Sequence, residues 1–123
     1  MNRLSLAFCL LFAGALEAQQ MSPALAALEA DGQPRFVECA AVFFAAARGS
    51  PVTRYEELYS AAEYAFNAAI LLRGREPADR LLSEIAARQM QEISQDLMRV
   101  PELEQKYGPD CLELLQQAGF GRP

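Results

Sequence analysis

Residues 34–49 read Pro34-Arg35-Phe36-Val37-Glu38-Cys39-Ala40-Ala41-Val42-Phe43-Phe44-Ala45-Ala46-Ala47-Arg48-Gly49. Between Val37 and Ala47 the only charge is Glu38. At helical spacing Phe36, Ala40, Phe43 and Ala47 share one face, with Val37, Ala41 and Phe44 beside them. A helix that is apolar almost all round is covered on most sides. Its alanines let neighbouring helices approach closely. Proline suits the opening turn and Gly49 the end. The stretch therefore predicts the central helix of an all-α bundle, with Cys39 carried on it.

Downstream, Thr53-Arg54-Tyr55-Glu56 has the Thr-x-x-Glu form of a capping box, which satisfies backbone N–H groups at a helix start. The helix it opens runs to about Arg73 and stops at Gly74. Tyr55, Leu58, Tyr59, Ala62, Phe66, Ala69 and Ile70 form its apolar side, opposed by Glu56, Ser60, Glu63 and Asn67. Pro77 opens a third helix, expected to reach Arg99 before Val100-Pro101 ends it. Its stripe is Leu82, Ile85, Ala86, Met90, Ile93 and Leu97, interrupted by Gln89, which fits a hydrogen-bonded core amide. Arg80, Glu84, Arg88 and Glu92 alternate in sign four apart and predict a solvated ladder of weak pairs. Pro101 to Tyr107 predicts a short helix ended by Gly108. A last one starts at Pro109-Asp110-Cys111-Leu112 and stops at Gly119, leaving residues 119–123 as a loose tail. No strand pattern or internal repeat occurs. Three main helices with short ones at either end are expected.

Upstream, Ser22-Pro23 followed by Ala24 to Leu28 and closed by Asp31-Gly32 predicts a short leading helix. The first eighteen or so residues have another character. Met1-Asn2-Arg3 is a basic start, Leu4 to Ala15 an uncharged apolar run, and small residues follow at Ala13-Gly14-Ala15 and Ala18. That order predicts a signal peptide over residues 1–18, cleaved after Ala15 or Ala18, and a periplasmic or secreted protein. The run falls short of the roughly 20 apolar residues of a membrane-spanning helix. Cys9 follows Phe8 rather than a small residue, against lipidation. About 105 residues then remain for a single domain, 19–123.

Cleavage leaves Cys39 and Cys111, neither with a close sequence partner. One disulfide between them is expected in an oxidising compartment. Closing a loop of roughly seventy residues is worth about 4 kcal/mol in the chain-entropy model. Glu38 and Asp110 precede the two cysteines and oppose thiolate formation, against a redox role.

Net charge is −5 over 123 residues, and lysine occurs only at Lys106. That balance argues against nucleic acid and against anionic lipid surfaces as partners. There is no histidine, the commonest general base and metal ligand. No Gly-x-Ser-x-Gly elbow, phosphate-cradling glycine loop or calcium-binding loop is present. Neither a metal nor a cofactor is expected. The remaining acid–base candidates are Glu56 with Glu63 and Glu102 with Glu104, all in exposed or capping contexts. Glu38 is the carboxylate in an apolar neighbourhood, where burial would raise its pKa. An edge position paired with Arg35 or a tyrosine hydroxyl is the simpler expectation. Tyr55, Tyr59, Tyr64, Phe43, Phe44 and Phe66 fill a core or line an apolar pocket.

Four segments also carry a likeness. They are Cys39-Ala40-Ala41-Val42-Phe43-Phe44-Ala45, Tyr59-Ser60-Ala61-Ala62-Glu63-Tyr64-Ala65, Ile93-Ser94-Gln95-Asp96 and Tyr107-Gly108-Pro109-Asp110-Cys111. In these the chain resembles an uncharacterised family of small exported helical proteins of Gram-negative bacteria with two cysteines. The resemblance implies a periplasmic, disulfide-bonded helical domain and brings no activity or functional residues with it. The expected function is a non-enzymatic module that binds another protein, such as an inhibitor, immunity factor or envelope accessory subunit. The alternative is a carrier or sensor of a small apolar ligand held between alanine-lined helices.

Overall fold

A computed structural model describes residues 23–122. Residues 23–28 form helix α1, followed by α2 (Arg35–Gly49), α3 (Val52–Arg73), α4 (Arg75–Glu92) and α5 (Val100–Gln117). A single 3-10 turn, Leu97–Arg99, leads into α5. No strand occurs among the described residues. The expected all-α bundle with one disulfide is the fold. The leader expected at 1–18, Cys9 and the expected Ser22 cap lie outside the described residues.

Helix α2 is the hub, and α3, α4 and α5 all pack against it. Phe36, Val37, Ala40 and Val42 are essentially without solvent exposure. Ala61, Ala62, Ala65, Ala68 and Ala69 of α3 are buried as well, so α2 and α3 meet through small side chains. Larger groups then fill the periphery. Leu103 and Leu115 of α5 and Ile85 of α4 are buried, each contributing about 2 kcal/mol of transfer free energy. A second, smaller cluster of Ile93, Val100 and Leu103, with Ala45 and Met90 against it, holds the α4–α5 connection.

Gly74 alone joins α3 to α4. Its φ of +89° is a conformation that side-chain-bearing residues rarely adopt. Its N–H closes α3 on the Ile70 carbonyl at 2.8 Å, and its carbonyl receives the Ala78 amide at 3.1 Å.

Several boundaries differ from expectation. Helix α4 ends at Glu92, about two turns before Arg99. The Ser94 amide donates to the Gln91 carbonyl (3.0 Å) and the Gln95 amide to the Met90 carbonyl (2.8 Å). This is a Schellman motif, built here on Ser94 and Gln95 at φ +55° and +58° instead of on glycine. Helix α5 is one helix, not two, because Gly108 and Pro109 continue it. Gly108 is buried and lacks the Cβ that disfavours helix before proline, while Pro109 sits on the exposed side. The hydrogen bond that proline cannot make is thus lost where water can replace it.

The Thr53–Glu56 capping box does not form. Pro51 occupies the cap position and Val52 is already helical, so Thr53 stands too far inside to cap. Finally, Phe120 is not loose. A Schellman turn at Gly119 (φ +108°) folds it back, with its amide on the Leu115 carbonyl at 2.9 Å. Its ring lies 5.2 Å from that of Tyr64, whose hydroxyl donates to the Ala118 carbonyl at 2.7 Å. Gly121 and Arg122 remain exposed.

Candidate functional site

Cys39 and Cys111 are bonded, with Cα atoms 5.4 Å apart, and join the first half of α2 to the second half of α5. Both are buried. A shallow depression of about 460 Å³ lies over them, lined by Gln33, Arg35, Glu38, Tyr107, Asp110 and Glu113. Sulfurs that are oxidised, buried and bordered by carboxylates offer no thiolate for chemistry. Their task is covalent.

The carboxylates considered from the sequence are dispersed into structural roles. Glu56 and Glu63 are exposed on α3. Glu104 pairs with Arg54 across the α3–α5 gap, and Glu102 accepts from Arg99 at 2.8 Å. Glu92 leaves the expected α4 ladder and clasps α5 instead. It accepts the Tyr107 hydroxyl at 2.6 and 2.8 Å and lies 3.3 Å from the Lys106 ammonium. That hydrogen bond, the largest influence, holds the Tyr107 hydroxyl above its usual pKa.

Glu38 is half-buried at the rim of the disulfide depression. Burial raises its carboxyl above the ordinary range, against the opposing pull of Arg88 and Arg35. Neither expected partner is bonded to it. Arg35 binds Asp31 at 2.8 Å and Tyr107 binds Glu92. Gln89 is the core amide expected, 5% exposed, and donates from Nε2 to the Glu38 carbonyl at 3.1 Å.

One buried acid has no counterpart in the sequence reading. Glu29, 7% exposed, accepts the Phe36 amide at 2.9 Å and the Arg73 guanidinium at 3.0 Å. It thereby ties the α1–α2 loop to the start of α2 and the end of α3. The Arg73 Nε beside it is buried without a partner. The available signal was an acid followed by a helix start, which a lone sequence offers at many places.

Apolar surface collects where α2 ends and α3 and α5 begin. Val52 and Met98 are 90% and 87% exposed and Leu97 73%. Tyr55 stacks on Tyr59 at 5.6 Å, and Tyr59 meets Phe44 edge-on at 5.6 Å. From Phe44 an open groove of about 480 Å³ continues between α2 and α4 to Leu97. Ala41, Ala45, Leu82, Ala86, Met90 and Val100 are among its walls. On the other side of the bundle Phe43, Leu58, Ala61, Leu112 and Phe120 line a wider cleft of about 670 Å³, bridged by the Arg54–Glu104 pair. Of the aromatics named from the sequence, Phe43 belongs to the core, Phe66 and Tyr64 pack beside it, and Phe44, Tyr55 and Tyr59 reach the surface.

Among the described residues no cluster of three or more acidic or cysteine side chains is arranged to hold a metal ion. No helix among them is long and apolar enough to cross a membrane. Comparison with protein-family models, with curated proteins and with solved structures finds no match to this chain.

Proposed function

We propose that this chain is an exported, non-enzymatic module that binds another protein through the apolar end of its bundle. The observation that carries the reading is that five of the seven exposed large apolar side chains among the described residues, Val52, Tyr55, Tyr59, Leu97 and Met98, lie in the first eight residues of α3 or in the turn leading into α5. Leaving such side chains in water is costly, and a contiguous apolar patch is characteristic of an interaction surface. Tyrosine and methionine are enriched at such surfaces, and a rim carrying Glu56, Glu57 and Glu102 gives the polar border that usually surrounds an interface core. Export is supported by the basic-apolar-small leader pattern and by the disulfide. An inhibitor, immunity factor or envelope accessory subunit is the kind of protein that fits.

A photoreactive amino acid placed at position 52 or 98 in living cells tests this. A discrete adduct of one identifiable protein is expected from both positions and none from position 84 on the solvated face of α4. Absence of any adduct, or the same adducts from all three positions, refutes the reading. Intact mass of the isolated protein tests export: a chain lacking the leader and two hydrogens is expected.

A second reading, carriage of a small apolar ligand, is favoured by the groove between α2 and α4, where Ala41, Ala45 and Ala86 leave room that larger side chains would fill.

A further inference from the structure

We propose that the groove between α2 and α4 binds a free single-chain amphiphile with an anionic head, a long-chain carboxylate being the simplest member. The proposal rests on the carrier reading and adds to it the charge of the head group. Phe44, Leu82, Ala86, Met90, Leu97 and Val100 form walls suited to an alkyl chain. Among the described residues, Arg48 is the only ionisable side chain lining the groove. It stands exposed in the last turn of α2 and makes no ion pair or hydrogen bond among the described residues. Arg35, Arg54, Arg73, Arg99 and Lys106 are each held by a carboxylate, while Arg75, Arg80, Arg88 and Arg122, which form no such pair among the described residues, do not line the groove. A protein of net charge −5 thus opens one apolar groove whose own charge is positive. Asp96, next to Leu97, does not line the groove, and its carboxylate accepts the Met98 amide at 3.0 Å. Guanidinium matches a carboxylate in two-point geometry. With the head at Arg48 in contact with water, only the chain need be desolvated, which avoids the cost of burying a charge.

The test is calorimetric titration of the oxidised protein with alkanoates below their micelle threshold. Affinity is expected to rise about fourfold per added methylene, from about six carbons to about fourteen, until the groove is full. At equal chain length the carboxylate should bind at least about threefold tighter than the alcohol, and tighter still than the alkylammonium. Arg48→Gln should erase that preference while keeping the chain-length dependence and the melting temperature. Leu97→Asp, which removes an apolar wall and sets an anion on the lip, should weaken carboxylates more than alcohols of equal length. Equal binding of carboxylate, alcohol and alkylammonium overturns the anionic head but leaves the carrier reading standing. Failure of every member to bind overturns both. Binding only to micelles or to anionic lipid vesicles overturns the free amphiphile in favour of a membrane surface. A protein adduct from a photoreactive residue at position 48, with no alkanoate binding, assigns the groove to a partner protein.

Discussion

Removing Glu29 should unfasten three helices at once. Its two oxygens divide the work: Oε2 receives the Phe36 amide at the start of α2, and Oε1 the guanidinium of Arg73 at the end of α3. The first contact stands in for a helix cap, because Pro34 at the α2 cap position contributes no side-chain hydrogen bond. Capping interactions are worth about 1 kcal/mol. The second is a charge-assisted hydrogen bond, worth about 1.5–3 kcal/mol when screened from water. Arg73 keeps 28% of its side chain exposed, so the lower end applies. Glu29→Ala should therefore destabilise the protein by about 2–3 kcal/mol. Glu29→Gln, which retains an acceptor for Phe36, should lose about half as much. Urea unfolding followed by helical circular dichroism supplies both numbers. Adding Arg73→Ala closes a double-mutant cycle, whose expected coupling is about 1.5 kcal/mol. A loss below about 0.5 kcal/mol for Glu29→Ala, or additivity of the two alanine substitutions, would refute the account.

Replacing both bonded cysteines by alanine should cost about 4 kcal/mol, since the bond spans a sequence separation of 72 residues. An unchanged urea midpoint for the double variant would contradict that. Ser94→Gly should stabilise by about 0.5 kcal/mol, because relief at φ +55° exceeds the entropy that glycine adds to the unfolded chain. Any drop in the unfolding midpoint argues against that balance. Glu38→Gln should raise the melting temperature near pH 7 and lose this advantage by about pH 4. A carboxyl whose folded pKa is raised contributes its stability below the unfolded value and loses it as pH rises through the folded value, so the ionised group is the costly one. Identical melting-temperature differences at the two pH values would refute burial as the cause.

Local punctuation made the first half of the bundle legible. Gly49 and Gly74 end α2 and α3 as expected, and the single charge on the apolar part of α2 identified the hub. Where the signal failed, tertiary packing decided. Gly108-Pro109 has the form of a helix break, yet one residue faces the interior and the other water, and α5 runs through. The end of α4 was hidden for the opposite reason, because Ser94 and Gln95 do the work normally given to glycine. Cys39 and Cys111 could be paired because the leader pattern around Cys9 set that cysteine aside as an expectation. An apolar site between alanine-lined helices was a stated alternative, but its position between α2 and α4 could not be foreseen, since it depends on how α4 crosses α2. Nor could Glu29, whose partner Arg73 lies 44 residues along the chain.

The position of the disulfide also governs how the molecule meets mechanical force. All of α3 and α4 lies between Cys39 and Cys111, so tension applied at the two ends travels through the sulfur bridge and bypasses them. Only the segments outside the bridge can be drawn out. A pore or motor that threads proteins in single file would stall at Cys39 or Cys111 until the bridge is reduced.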